Sequence, residues 1–371
     1  MRFLFWSSLA LIFLAYAGYP IYLYVRARFW SRLVHRASIL PAVSVVVAVH
    51  NEEKYLPAKL RNLAGLDYPA DRLQVIVVSD GSTDGTNSIL ERWQDSTSRT
   101  AIFANHGGKA VAINRGLAAA QGEIVVFTDS RQTIAADALK QLSANFADPS
   151  VGCVSGELMI GQDQATPSTE GLGLYWRLEK KIRYWEGLAG SMVGATGALY
   201  GVRRELIMLL PPGTILDDVY IPLHVARQGR RVVFEPQARA FDPFTPDPKQ
   251  EFRRKLRTLF GNYQLLQLAP WILTRPNPLR FQFFWHKLSR LFVPFALVAT
   301  LISAFVLRTG VYELVLVLQL VFYGLAVLGL LHMKFGVLTR LSAISIGFLV
   351  LNTAAAVAFL YFITGRKAAW T

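Results

Sequence analysis

Cysteine and charge are both scarce in this sequence, and each shortage excludes a class of protein. The single cysteine, Cys153, excludes an internal disulfide and a zinc site built from cysteines, and favours a small core residue. Only 17% of the 371 residues are charged while 53% are hydrophobic, which is too apolar for an ordinary soluble domain. The segment after the apolar run at residues 75–78 lacks the glycine patterns of dinucleotide sites and P-loops, so neither is indicated there.

Long apolar segments account for the hydrophobic composition. Residues 4–25 are uncharged and long enough to cross a bilayer, and residues 291–307, 311–331 and 341–363 form three further apolar spans. No small-residue cleavage site ends the first span, so we expect a retained helix rather than a signal peptide. This span is followed at once by Arg26, Arg28, Arg32 and Arg36. The positive-inside rule then predicts an integral membrane protein whose middle region faces the cytoplasm. The compact sequence without targeting signals favours a bacterial inner membrane.

The chain is short of negative charge, with a formal net charge of +14. Such a surplus attracts anionic lipid head groups and phosphorylated substrates. Nucleic acid is the competing interpretation, but the sequence contains no recognised nucleic-acid-binding module. We therefore expect the lipid bilayer, and not a nucleic acid, among its partners.

The middle of the chain has the pattern of one α/β domain over residues 38–245. Runs rich in β-branched residues at 43–49, 73–79 and 123–128 are each followed by a polar turn and helical periodicity. This alternation predicts a doubly wound, mostly parallel sheet with helices on both faces. The flanking segments are an N-terminal transmembrane helix with a basic linker, interfacial helices and three C-terminal transmembrane helices, at residues 1–37, 246–290 and 291–371. Packing within the soluble core is the alternative for the aromatic segments in 246–290.

Polar residues follow each predicted strand at its carboxyl end. His50 and Glu52 come after the first strand, Asp80 ends the second and Asp129 follows the third. Because the carboxyl ends of parallel strands meet at one edge of a sheet, these residues predict a shared ligand. A flat base can stack on His50 while the Asp80 carboxylate accepts a hydrogen bond from the imide of a uracil. A helix cap is the simpler role for any one strand-end aspartate.

A second polar segment combines glycine with a positive charge. Gly107 and Gly108 directly precede Lys109. Adjacent glycines let the backbone approach an anion closely, and the lysine supplies a point charge for a diphosphate. A solvated surface lysine would not need these glycines.

Six motifs occur in order between residues 43 and 265. The first three are Asp80-Gly-Ser-Thr-Asp84, Gly108-Lys109-x-x-Ala112-x-Asn114-x-Gly116 and Phe127-Thr128-Asp129. The last three are Ala195-Thr196-Gly197-Ala198-Leu199-Tyr200, Leu216-Asp217-Asp218 and Arg253-Arg254-Lys255-Leu256-Arg257. This set resembles the family-2 glycosyltransferases, in particular the membrane-integrated branch that includes cellulose, hyaluronan and poly-N-acetylglucosamine synthases.

The resemblance implies a GT-A-like nucleotide-sugar-binding fold and an inverting transfer from a UDP-sugar to a lipid-linked or glycan acceptor in surface polysaccharide assembly. The implied nucleotide-sugar contacts are His50, Glu52, Asp80, Lys109, Asp129 and Arg131. Asp218 stands at the position of the family's general base, and Asp217 at the acidic position before it. The implied diphosphate and acceptor region contains Gly197, Tyr200, Arg254 and Arg257. Without the other motifs, Asp217 and Asp218 would read as a helix cap.

Two departures from the family pattern affect the expected cofactor and product. Where the family has Asp-x-Asp this chain has Asp129-Ser130-Arg131, which puts a Mg²⁺ or Mn²⁺ ion at Asp129 in doubt. Arg131 can partly replace the ion as a bidentate partner of the diphosphate, or it can point away and pack on an acidic neighbour. Thr258 stands where processive synthases have a tryptophan that stacks under the acceptor sugar. This favours single transfer, with a processive, polymer-secreting synthase and a non-catalytic membrane scaffold as alternatives.

Overall fold

The computed structural model describes residues 1–93, 99–160, 167–242, 248–331 and 337–366, without the side chains of 160, 167–175, 248–251 and 337–338. These described parts of the chain contain eight strands: β1 Val43–Val49, β2 Leu73–Asp80, β3 Arg99–Ala104, β4 Ile124–Phe127, β5 Thr133–Ile134, β6 Val151–Ile160, β7 Tyr200–Arg203 and β8 Arg231–Asp242. They form one sheet in the order β3-β2-β1-β4-β7-β6-β8-β5. The predicted domain boundary between residues 245 and 246 lies outside the described residues.

The first half of the sheet is parallel and the second half is mixed. The pairs β1–β2, β1–β4, β2–β3 and β6–β8 are parallel, whereas β4–β7, β6–β7 and β5–β8 are antiparallel. The predicted strands at 43–49, 73–79 and 123–128 are confirmed as β1, β2 and β4. Helices cover both faces of these central strands, which is why their sequences are almost continuously apolar.

Thirteen α-helices are described, and the first eight are α1 Arg2–Phe13, α2 Tyr19–Phe29, α3 Leu56–Ala64, α4 Thr86–Trp93, α5 Lys109–Ala119, α6 Ala138–Asn145, α7 Pro167–Ala189 and α8 Asp217–Arg227. The others are α9 Pro248–Leu268, α10 Arg280–Phe283, α11 Ser289–Leu307, α12 Val311–Leu330 and α13 Val337–Ile363. Alternate residues of β1 face opposite sides of the sheet. Val46 packs in a core with α5 and α8, whereas Val45 and Val47 pack in a second core with α3 and α6.

Among the described residues, four helical runs are long and apolar enough to cross a membrane: Arg2–Phe29, Arg280–Leu307, Val311–Leu330 and Thr339–Ile363. A π-helical turn at Leu14–Gly18 joins α1 to α2, and a second at Phe284–Leu288 joins α10 to α11. The run that contains α11 therefore begins at Arg280, upstream of the predicted start at residue 291.

Helices α7 and α9 connect the sheet domain to the apolar helices. Helix α7 packs against α2, α13 and β8, and α9 packs against α13. The core that holds Val46 also contains Leu256 of α9, Leu291 of α11 and Ala358 of α13. The carboxyl edge of the sheet is therefore fixed relative to the apolar helices.

Candidate active site

Lys109 lies between two carboxylates at the carboxyl edge of the sheet. Its Nζ is 3.0 Å from Asp129 Oδ1 and 3.1 Å from Asp217 Oδ1. Helix α5 begins at Lys109 directly after Gly108, whose φ of +86° suits glycine and aims the helix at this edge. Burial lowers the pKa of Lys109, but Asp129, Asp217 and Asp218 together raise it well above its usual value. The ammonium therefore stays charged and holds the acidic residues together.

Asp218 occupies the first turn of α8 and faces the loop that contains Gly197. The Gly197 N–H donates to Asp218 Oδ2 at 3.1 Å. A Cβ on residue 197 would lie 3.4 Å from Asp218 Oδ2 and 3.6 Å from Asp129 Oδ2, so both carboxylates border the space above this glycine. Burial and the neighbouring Asp217 raise the pKa of Asp218 to about 6, against the lowering effect of Lys109. A carboxylate with this pKa can accept a proton near neutral pH.

Tyr200 lies beneath the acidic residues. Its side chain is fully buried on β7, stacks on Phe127 at 4.8 Å between ring centroids, and donates from its hydroxyl to Asp217 Oδ2 at 3.0 Å. Burial, followed by the two neighbouring carboxylates, raises the pKa of Tyr200 well above its usual value. The sequence predicts Tyr200 in the diphosphate and acceptor region, and this role stays a prediction, since the contact that the buried phenol makes is with Asp217.

The Asp80 carboxylate supports the loop that leads to Lys109. It is buried, and its two oxygens accept the N–H groups of Gly107 and Gly108 at 2.8 and 2.7 Å. His50 Nδ1 lies 2.7 Å from the Asp80 carbonyl oxygen, and the His50 ring is 4.6 Å from the His106 ring. The predicted hydrogen bond from Asp80 to a uracil stays a prediction.

Glu52 and Arg131 lie on the side of the edge towards the end of β8. Glu52 is half-buried, and burial raises its pKa while a hydrogen bond from Ser130 and the charge of Arg131 lower it. Arg131 Nη2 donates to Asp242 Oδ2 at 2.8 Å. This contact matches the alternative in which Arg131 packs on an acidic neighbour.

Helix α9 holds the two arginines predicted near the diphosphate. Arg254 Nη1 is 3.9 Å from Asp242 Oδ2, so Arg254 reaches the same carboxylate as Arg131. Arg257 is partly buried on the same helix. Asp242 is thus a shared acidic partner that the sequence prediction omits.

Lys59 is a second residue that the sequence prediction omits. Its Nζ is buried under the loop after β4 and donates to Thr128 Oγ1 and the Gln132 carbonyl oxygen, each at 2.7 Å. Burial lowers the pKa of Lys59 to about 7, against the raising effect of Asp129. A sequence signal exists, because Lys59 falls within the apolar helical stripe of Leu56, Leu60 and Leu63.

The acidic residues fit a divalent cation at Asp129 in part. The Asp129 side chain is 39% exposed, and a carboxylate oxygen is a ligand that Mg²⁺ and Mn²⁺ prefer. Magnesium is often held by one or two carboxylates together with substrate phosphates, so Asp129 alone is compatible with an ion bound alongside a diphosphate. His50, Asp80 and His106 also present ligand atoms within 4.8 Å of one another, but both Asp80 oxygens already accept backbone hydrogen bonds.

A mixed sheet with aspartates and a lysine converging on the carboxyl ends of its first strands is the GT-A fold of nucleotide-sugar-dependent transferases. Residues 44–209 match the family model of glycosyl transferase family 2. This match confirms the resemblance to the family-2 glycosyltransferases that the motifs indicate, while the membrane-integrated branch stays a prediction.

Two curated relatives and one solved structure are informative. The chain is 27% identical to a beta-monoglucosyldiacylglycerol synthase of Synechocystis over 83% of this chain and 61% of the relative. It is 26% identical to an N-acetylglucosaminyltransferase of Rhizobium meliloti over 64% of this chain and 60% of the relative. It thus spans about three fifths of these relatives. The mannosyltransferase PcManGT from Pyrobaculum calidifontis, solved with GDP-Man and Mn²⁺, superposes with a TM-score of 0.71 at 25% identity, covering 98% of this chain and 100% of that chain.

Proposed function

We propose that the protein is a membrane-bound, inverting hexosyltransferase that transfers a sugar from a UDP-sugar to a lipid-linked or membrane-associated glycan. The observation that carries this proposal is the pair Asp218 and Asp129 on either side of the space above Gly197, with Lys109 beside them. The relatives named for synthesis of a glucosyl lipid and for N-acetylglucosaminyl transfer support a lipid or glycan acceptor.

In the proposed reaction Asp218 is the general base. The acceptor hydroxyl oxygen forms a bond to the anomeric carbon as Asp218 takes the hydroxyl proton, and the bond from that carbon to the diphosphate oxygen breaks. The electron pair leaves with the nucleoside diphosphate, so one displacement inverts the configuration. Lys109 and Asp129 hold the diphosphate region, and Asp217 keeps Lys109 in place. A divalent ion bound at Asp129 would supply charge neutralisation for the leaving diphosphate.

The proposed membrane arrangement follows the four apolar helical runs. Residues 38–245 form the cytoplasmic transferase domain, residues 246–290 lie at the interface, and the segments 1–37 and 291–371 hold the protein in a bacterial inner membrane. Arginines after the first run support the cytoplasmic orientation.

The donor test uses purified full-length protein with radiolabelled UDP-sugars and GDP-mannose, because the similar solved structure contains GDP-Man. We expect a UDP-sugar to be hydrolysed and, with membrane lipids present, transferred. Asp218→Asn should lower transfer about a thousandfold, by loss of the base, while nucleotide binding is retained. Persistent transfer by Asp218→Asn would remove Asp218 from the base role.

Product size separates single transfer from polymerisation. One discrete lipid-soluble product supports single transfer, whereas a ladder of long chains would identify a processive synthase. Absence of turnover with every donor would favour a non-catalytic scaffold.

A further inference from the structure

The buried face of α3 contains a lysine among leucines. Lys59 is only 1% exposed and shares this face with Leu56, Leu60 and Leu63. Among the residues that the structure describes, no carboxylate forms an ion pair with its Nζ, which donates to a neutral hydroxyl and a carbonyl. Two such hydrogen bonds only partly offset the cost of burying an amine, whereas a methionine would pack in the same stripe without that cost. Stability of the fold does not by itself explain this lysine.

The Lys59 amine closes the loop that carries Asp129. Its Nζ donates to Thr128 Oγ1 and to the Gln132 carbonyl oxygen, each at 2.7 Å, and these two residues lie on either side of Asp129 in the sequence. Asn62 on the same helix holds the next segment, because it accepts the N–H of residue 134 and donates to the carbonyl of that residue, both at 2.8 Å. Helix α3 therefore fixes the course of the chain after β4.

Thr128 extends this support to the neighbouring segment of the sheet edge. The antiparallel ladder between β4 and β7 ends at the pair Phe127 and Tyr200. Beyond that pair, the Thr128 hydroxyl donates to the Ala198 carbonyl oxygen at 2.8 Å and accepts a hydrogen bond from Lys59. Side-chain hydrogen bonds thus link the two segments where strand pairing stops.

These contacts reach both sides of the proposed reaction centre. Ala198 follows Gly197, whose N–H donates to Asp218 Oδ2 at 3.1 Å. Asp129 approaches the same glycine from the loop that Lys59 closes, and its Oδ2 would lie 3.6 Å from a Cβ on residue 197. The separation of the two carboxylates therefore depends on the chain of hydrogen bonds that starts at Lys59.

We propose that Lys59 is a positioning residue of the transfer reaction, which fixes the Asp129 loop relative to Asp218 from beneath the sheet edge. Because its amine is buried, it acts through Thr128 and not on the substrate. A displacement reaction needs the base, the acceptor and the leaving group in line, and a misplacement of about 1 Å can cost about a hundredfold in rate. This inference rests on the proposed transferase function and adds to it a residue outside the reacting groups.

The test measures transfer by full-length protein with the donor that wild type uses, together with calorimetric titration of the corresponding nucleoside diphosphate and thermal unfolding. Lys59→Met keeps the length of the side chain and removes the amine, so it suits the apolar face of α3. We expect kcat to fall about thirtyfold while the Kd for the nucleotide changes less than about threefold. The melting temperature should stay within about 5 °C of wild type, since the lost hydrogen bonds and the relieved burial of the amine offset each other.

Lys54→Met is the matched control, since it removes the same amine from an exposed position in the turn before α3. It should leave the kcat, the nucleotide affinity and the melting temperature unchanged. A wild-type kcat in Lys59→Met would overturn the proposal. A loss of nucleotide affinity as large as the loss in kcat would also overturn it, because Lys59 would then support the whole nucleotide site and not the separation of the two carboxylates.

Thr128→Val breaks the same chain of hydrogen bonds one step farther on, and it decides the question if Lys59→Met does not fold. It removes the hydroxyl and keeps the contact between Lys59 and Gln132. We expect kcat to fall about tenfold, and the double variant with Lys59→Met to lose no more than Lys59→Met alone. Additive losses, or a wild-type kcat in Thr128→Val, would contradict the proposed link.

The activity of wild type separates this inference from the proposed function. If wild type transfers no sugar from any donor, the proposed function fails and this inference fails with it. If wild type transfers sugar and folded Lys59→Met transfers it equally fast, the positioning role alone fails and the proposed function stands.

Discussion

The Asp218 carboxyl combines a high pKa with a position beside the acceptor space, and this combination predicts a pH profile. Burial and Asp217 raise its pKa to about 6, while Lys109, Arg183 and Lys287 act against them. A base must be deprotonated, so we expect kcat/KM for transfer to fall about tenfold per pH unit below about 6. Initial rates measured between pH 4.5 and 8.5 check this. A rate that stays constant down to pH 5 would contradict the base role.

The raised pKa of Asp218 also predicts how the Asp218→Asn substitution changes the stability of the folded protein. Because the folded-state pKa is raised above the unfolded value, ionisation of Asp218 opposes folding. The contribution of the protonated Asp218 carboxyl to folding stability is complete below about pH 4 and is lost as the pH rises through about 6. Asp218→Asn should therefore melt at or above the wild-type temperature at pH 8 while it is inactive. A clearly lower melting temperature at pH 8 would show that the loss of activity is a folding defect.

At the scale of elements, the end of β2 fixes the loop that starts α5. Asp80 accepts two backbone N–H groups of this loop, and an asparagine in its place has one acceptor oxygen. We expect Asp80→Asn to weaken binding of UDP and GDP alike by about tenfold, since Lys109 loses its fixed approach. Calorimetric titration with both nucleotides measures the effect.

The matched control for that titration is Asp71→Asn, an exposed change in the short 3₁₀ turn that precedes the same strand. It should leave both affinities unchanged. A loss for UDP but not for GDP would instead assign the Asp80 carboxylate to the uracil, as the sequence predicts.

The strands that the sequence predicts share one property. β1, β2 and β4 are buried on both faces, so their apolar runs are continuous and visible in the sequence. β8 alternates buried and exposed residues over part of its length, and β5 has only two residues, so neither produces such a run. Their places in the sheet depend on pairing with β6 and β8, which local periodicity does not encode.

The candidate site, like the sheet, has features that the sequence predicts and features that it does not predict. The sequence predicts which residues reach the carboxyl edge, because strand ends and glycine turns mark them. It does not predict their partners: Arg131 meets Asp242 from 111 positions away, and Lys109 meets Asp217 through the start of α8. These contacts depend on the crossover order of the sheet.

At the scale of the whole molecule, Asp242 links the transferase sheet to the helices that pack on the apolar runs. Arg131 approaches it from the loop after β4 and Arg254 approaches it from α9, which in turn packs against α13. Asp242 is only 6% exposed, so removal of Arg131 leaves a poorly compensated buried charge. Arg131 therefore has a structural role in addition to any contact with the diphosphate.

The ion pair between Arg131 and Asp242 leads to a prediction about the metal dependence of transfer. The Arg131 charge is already paired with Asp242, so it is a weaker substitute for an ion than the sequence alone implies, while the exposed Asp129 carboxylate suits Mg²⁺ or Mn²⁺. We expect EDTA to remove most transferase activity and Mn²⁺ or Mg²⁺ to restore it. Arg131→Ala should keep this metal response and lose about 2 kcal/mol of stability by thermal or urea unfolding. Arg131→Lys, which keeps the charge, is the control and should recover part of that stability. If EDTA has no effect while Arg131→Ala abolishes transfer in a folded protein, the guanidinium takes the place of the ion, and the pairing with Asp242 must break when the donor binds.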